Sequence, residues 1–205
     1  MSSREKVLSA VRSAIAGAAT TEVNRSYDTS LALDRPQLIE LLAERIDDYR
    51  AEVRRVDRAH LARTIGSVLA EHGATSVVVP GDLDAEWLTT VTCKVIPDDP
   101  PLAHRALDQV SAVITGSAVS VALTGTIVLD ASPGQGRRAV TLIPDLHVCV
   151  VEADTVVGTV PEALQRLDPR RPQTWISGPS ATSDIELVRV EGVHGPRTLE
   201  VVLVG

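Results

Sequence analysis

From residue 74 onward, short β-branched runs alternate with stretches of helical spacing, and that alternation limits the chain to a small set of folds. Thr75-Ser-Val-Val-Val-Pro80 is a Val run bounded by Gly73 and Pro80, which predicts a strand. Further strands are expected at 93–96, 112–115, 119–123, 126–129, 147–151, 174–177 and 198–204, with helical patterns near 85–90 and 160–167. Strands alternating with helices predict a mostly parallel sheet covered on both faces, because parallel neighbours need a crossover that packs back onto the sheet. The stretch from 119 to 129 leaves no room for a helix, so a hairpin or meander is expected there. The core has to be aliphatic: the chain contains no Phe, and aromatic residues make up 2% of its 205 positions. Val, Leu, Ile and Ala are the residues of sheets buried on both faces.

The segment before residue 74 is helical in pattern. Val7, Leu8, Val11, Ala14 and Ile15 share one face of an expected helix over 3–16, with Ser2 and Glu5 as a capping box and Gly17 as the stop. Residues 18–33 are polar and aperiodic, a linker. A second helix follows Asp34, which with Gln37 fits another cap, and carries Leu38, Ile39, Leu41, Leu42, Ile46 and Tyr49 on one side. A third runs from Asp57 through Leu61, Ile65, Val68 and Leu69 to His72-Gly73. The organisation is therefore an N-terminal helical region, 1–73, and an α/β domain, 74–205, read as one continuous structural domain with a helical extension.

Charge and cysteine usage exclude several functions. A net charge of −7, with no basic stripe and interleaved aromatics, argues against nucleic-acid binding. Cys93 and Cys149 sit in apolar β-like runs, and two cysteines fall short of the roughly four ligands of an iron–sulfur cluster. The N-terminus lacks the apolar block of a signal peptide. No run approaches the ~18 apolar residues of a membrane span. A cytoplasmic location is expected. The histidines His60, His72, His104, His147 and His194 show no metal-ligand spacing, so no metal site is expected.

Three apolar runs end in the same punctuation: Thr115-Gly116-Ser117, Thr124-Gly125-Thr126 and Ser177-Gly178-Pro179-Ser180. Ligands of open α/β sheets bind outside the carboxyl ends of strands. If these strands are neighbours, their hydroxyls and glycine-exposed amides line one crevice suited to an anion. Taken singly, each cluster equally fits an ordinary turn. The expected ligand-binding set is Thr115, Gly116, Ser117, Thr124, Gly125, Thr126, Gly178, Pro179, Ser180, Thr182, Asp184 and His194. No catalytic residue is assigned. Ser183 with Glu186 fits a capping box that opens a helical turn beside the crevice. Ser132-Pro-Gly-Gln-Gly-Arg-Arg138 reads as a flexible basic tip, either an exposed turn or a clamp for an acidic partner. No phosphate loop, nucleophile elbow or dinucleotide fingerprint is present.

Thr124-Gly-Thr126-Ile-Val-Leu129, Leu142-Ile-Pro144-Asp-Leu-His147, Ser177-Gly-Pro-Ser-Ala-Thr-Ser-Asp-Ile-Glu186 and Gly192-Val-His-Gly-Pro196 follow one another in that order. As an ordered set over roughly 75–205 they resemble the LUD domain of the lactate utilisation protein C family. The resemblance implies a three-layer α/β/α fold similar to NagB/RpiA/CoA-transferase-like domains. It also implies an accessory role, with two iron–sulfur partner proteins, in oxidising L-lactate to pyruvate. The clusters would sit on the partners, with no cofactor on this chain and a small anionic metabolite as its ligand. The alternative is a stand-alone enzyme of CoA-transferase-like or sugar-phosphate-isomerase-like type, with Asp184 and His194 as the groups to test. Leu123 stands where the family often has an acidic residue, which weakens that alternative. A third reading is a ligand-sensing regulator acting through protein partners.

Overall fold

The computed structural model describes residues 2–18, 23–24, 26–182, 190–191 and 195–205. Helix α1 (Ser3–Ile15) begins at the Ser2/Glu5 capping box and buries none of its residues. Helix α2 (Arg35–Asp48) starts at Asp34, whose carboxylate accepts from the Gln37 amide, and buries Leu42, Ala43 and Ile46. Strand β1 (Glu52–Val56) leads through a short 3-10 turn into α3 (Leu61–Glu71), which buries Leu61, Ile65, Val68 and Leu69. Next come β2 (Ser76–Val79), β3 (Lys94–Pro97), α4 (His104–Leu107), β4 (Ala112–Thr115), β5 (Val119–Val121) and β6 (Thr126–Leu129). The chain continues with β7 (Leu146–Glu152), β8 (Val156–Val157), α5 (Val160–Arg166), β9 (Thr174–Ile176), β10 (Ala181–Thr182), β11 (Val190–Glu191) and β12 (Thr198–Val204).

Six strands form one all-parallel sheet in the order β1-β12-β7-β4-β2-β3. Side chains alternate across it. On β12, Val202 and Val204 join Val148 and Val150 of β7 under α3, while Leu199, Val201 and Leu203 join Cys149 and Val151 on the opposite face under α2. A four-stranded sheet, β8-β5-β6-β9, lies on that second face through Ile127 and Leu129, and α5 closes its outer side with Ala163 and Leu167 against Val119, Val121 and Val128. β5 and β6 are the hairpin that the 119–129 spacing required. The architecture is the expected three-layer α/β/α arrangement around a mostly parallel sheet.

Several details differ from the sequence reading. β1 was not expected, because Glu52-Val-Arg-Arg-Val56 has charge on both sides. It pairs on one edge only, with β12, and its arginines are neutralised there: Arg54 by Glu71 and Glu200, Arg55 by Glu40. Residues 52–71 thus contribute a strand and a helix to the core they share with 74–205. The 85–90 pattern forms only a 3-10 turn, Ala85–Leu88, and the short helix α4 follows Pro101. The Ser183–Glu186 cap lies outside the described residues.

Candidate functional site

The three hydroxyl clusters form two separate networks. β6 and β9 run antiparallel with Ile127 opposite Ile176, which sets Thr126 beside Ser177. Their hydroxyls are 2.9 Å apart, and Thr124 Oγ1 is 2.8 Å from Thr126 Oγ1. This group sits against α2. A Cβ on Gly125 (φ +60°) would fall 2.9 Å from the Arg45 carbonyl carbon, and one on Gly178 (φ +85°) would fall 2.5 Å from Tyr49 Cβ. Thr124 and Gly125 therefore form the close seat of that helix. The Thr115 cluster belongs to the other sheet. Thr115 is fully buried, the Gly116 amide donates to Gly134 O at 2.8 Å, and Ser117 Oγ donates to Val150 O at 3.0 Å.

The expected crevice at the carboxyl ends of these strands does not form, because the segment 130–138 packs over the end of β4. The reading of residues 132–138 within it as a flexible basic tip is corrected: Gln135 is buried, and Asp82 accepts the Gly134 amide at 3.0 Å. Arg137 donates to both carboxylate oxygens of Asp98, at 2.6 and 2.9 Å, and to Leu102 O. Burial raises the Asp98 pKa, but the Arg137 and Leu102 hydrogen bonds together with the Arg137 charge outweigh it and hold the carboxyl below the usual range.

A cavity of about 140 Å³ lies instead beside the amino ends of β7 and β12, facing the turn after β9. Among the described residues it is lined by Arg138, Thr141, His147, Leu199, the run Thr174–Ser180, Gly195 and Pro196. Gly178, Pro179 and Ser180 of the expected set are thus in its wall, and the Ser180 amide donates to Pro196 O at 2.8 Å, tying the two walls together. Thr115 reaches it only through His147, whose Nε2 is 2.8 Å from Thr115 Oγ1. Thr126 lies behind Ser177. Gly116, Ser117, Thr124 and Gly125 are outside the lining. Thr182 lies in β10, paired with β11, and Asp184 and His194 fall outside the described residues.

The electrostatics of this cavity are specific. His147 is 1% exposed; burial first, and the neighbouring Arg138 charge second, push its pKa down to about 4, so the ring is neutral at pH 7. Arg138 bonds Thr141 Oγ1 at 3.2 Å and faces no carboxylate among the described residues. Cys149, two residues along β7, is a fully buried thiol pushed up to about 12 by desolvation, so it supplies no nucleophile. Among the described residues the cavity combines one guanidinium without a carboxylate partner, a neutral imidazole, a hydroxyl and a glycine turn. Such a set brings positive charge and hydrogen-bond donors to the cavity. The described residues place no carboxylate in the lining to act as a base.

A family model for the LUD domain matches residues 39–204, from within α2 to the last residue of β12. The chain belongs to the LUD domain family. Among its LUD relatives, the Lactate utilization protein C of Deinococcus radiodurans is 46% identical over 204 residues, covering 98% of this chain and 94% of that protein. The Lactate utilization protein C of Halalkalibacterium halodurans is 30% identical over 176 residues, covering 78% and 76%. The crystal structure of a DUF162 family protein from Deinococcus radiodurans superposes with a TM-score of 0.74 at 43% identity, covering 84% of this chain and 99% of that one. The cavity residues of this LUD chain all fall inside the matched span. Sequence reasoning missed Arg138, Thr141, His147 and Trp175 as cavity residues. A signal existed, since His147 closes the Leu142–His147 motif and Arg138 ends the basic run. Their convergence depends on strand register, which neither motif contains.

Proposed function

We propose that this chain is a component of a lactate-utilisation system and that its cavity holds a small carboxylate metabolite, with Arg138 as counter-charge. The supporting observation is Arg138, without a carboxylate partner among the described residues, over a 140 Å³ cavity walled by neutral His147. An enclosed apolar cavity of about 150 Å³ accommodates benzene, a molecule of six heavy atoms. Lactate and pyruvate have the same number. Charge-assisted hydrogen bonds contribute on the order of 1.5–3 kcal/mol each, and millimolar affinity needs about 4 kcal/mol. Two or three donors from Arg138, Thr141 and the cavity wall suffice. The names of the relatives support the lactate assignment. In this reading the electron transfer of L-lactate oxidation to pyruvate belongs to two iron–sulfur partner proteins. A chain with two cysteines, one of them deeply buried, is not itself suited to a cluster.

The test is direct. Calorimetric or NMR titration of the purified chain with L-lactate, pyruvate and acetate should give saturable millimolar or tighter binding, weakened at least tenfold in Arg138→Ala. A deletion strain should lose growth on L-lactate as sole carbon source, and a tagged chain should copurify iron–sulfur proteins. Normal growth of the deletion strain, or unchanged binding by Arg138→Ala, overturns the reading.

A further inference from the structure

The two ring nitrogens of His147 have different surroundings. Nε2 faces the sheet, 2.8 Å from the fully buried Thr115 hydroxyl. Nδ1 has no hydrogen-bond partner among the described residues. His147 lines the cavity, and with Nε2 held by Thr115 the ring nitrogen left for a ligand is Nδ1.

The protons behind the ring can be assigned by counting donors. Cys149 Sγ lies 3.9 Å from Gly116 O, an atom that only accepts, so the thiol proton points there. Thr115 Oγ1 lies 3.9 Å from Cys149 Sγ, and its proton turned to that sulfur leaves the hydroxyl oxygen free to accept from Nε2–H. This order, Nε2–H to Thr115, Thr115 to Cys149, Cys149 to Gly116, gives every donor an acceptor. Turning the Thr115 proton toward Nε2 makes one bond fewer and moves the ring proton to Nδ1.

We infer that His147 presents a bare Nδ1 lone pair to the cavity, which selects a 2-hydroxy acid over the corresponding 2-oxo acid. The carboxylate lies on Arg138 and the hydroxyl donates its hydrogen to Nδ1. The keto oxygen of a 2-oxo acid brings no hydrogen and sets one lone pair against another. This inference rests on the small-carboxylate reading above and goes further by naming the substrate class and the positioning relay Thr115–Cys149. A site built to accept a hydroxyl proton rejects the analogue without one, and in a partly open cavity a preference of at least about tenfold is expected.

Two measurements test it independently. In the unliganded protein labelled with ¹⁵N-histidine, the ring signals of His147 at pH 7 should show the proton on Nε2; a proton on Nδ1 overturns the inference. In parallel titrations, L-lactate should bind at least about tenfold more tightly than pyruvate. Equal affinities, or a pyruvate preference, overturn the inference while leaving the carboxylate site standing. Binding of neither acid removes the carboxylate site and this inference with it. Thr115→Val should bring the lactate/pyruvate ratio toward one while Thr115→Ser preserves it. A ratio unchanged in a folded Thr115→Val protein overturns the relay.

Discussion

Thr115 on β4 and His147 on β7 are bridged by a 2.8 Å hydrogen bond on the face of the parallel sheet that looks toward α2. The register explains why they meet. Val113 pairs with His147 and Thr115 with Cys149, so the His147 ring reaches diagonally to the next side chain on the same face. Replacing Thr115 by the isosteric Val leaves a buried ring nitrogen without its partner. The expected loss is about 1–3 kcal/mol, read as a lower urea midpoint with an unchanged slope. Thr115→Ser should recover most of it.

His147 also makes stability depend on pH. Its ring is harder to protonate in the folded chain, at about 4, than in the unfolded one, near 6.5. The unfolded state therefore binds the proton first as pH falls. Stability is full above about 6.5 and erodes toward pH 4, by on the order of 3 kcal/mol from this group. Urea midpoints collected between pH 4 and 7.5 should show that slope in the native chain. It should be flattened in His147→Gln, whose side chain does not titrate.

Arg137 and Asp98 hold the 130–138 segment down, and the Asp98 side chain is only 5% exposed. Arg137→Ala strands that carboxylate in the interior. Breaking a buried pair costs about 3–5 kcal/mol, and because Arg137 is one-third exposed a loss of about 2–3 kcal/mol is expected. Asp98 is held below the usual carboxylate range, so its contribution is present at neutral pH and disappears as pH falls through its folded pKa. In Arg137→Ala that acid-labile component should vanish from the pH profile of the urea midpoint. Because Arg138 follows directly, ligand affinity should fall as well.

Gly178 joins stability to binding. Its backbone lies at φ +85°, and an added Cβ would meet Tyr49 Cβ at 2.5 Å. Gly178→Ala should displace the turn from α2, lowering the melting temperature by several degrees and weakening carboxylate binding together. Arg138→Ala separates the two: binding falls while the melting temperature stays within about a degree, because the exposed guanidinium has no carboxylate partner among the described residues.

Much of the fold was legible in the chain itself. Val-rich apolar runs of four to seven residues, the Asp34 and Ser2 caps and the absence of Phe specified an aliphatic parallel sheet with helices across it, because periodicity and capping are local properties. The ordered motifs ending in Gly195-Pro196 specified the family. Thr126 and Ser177, far apart in the chain, meet because β6 and β9 pair antiparallel. Only the tertiary structure decided where a ligand would go. It closed the carboxyl end of β4 with its own 130–138 segment and turned Arg138 toward β7. It also buried His147, a residue that in sequence merely opens a strand. Those outcomes depend on which strands become neighbours and in what register. They arise from contacts between residues tens of positions apart, and no window of the sequence contains them.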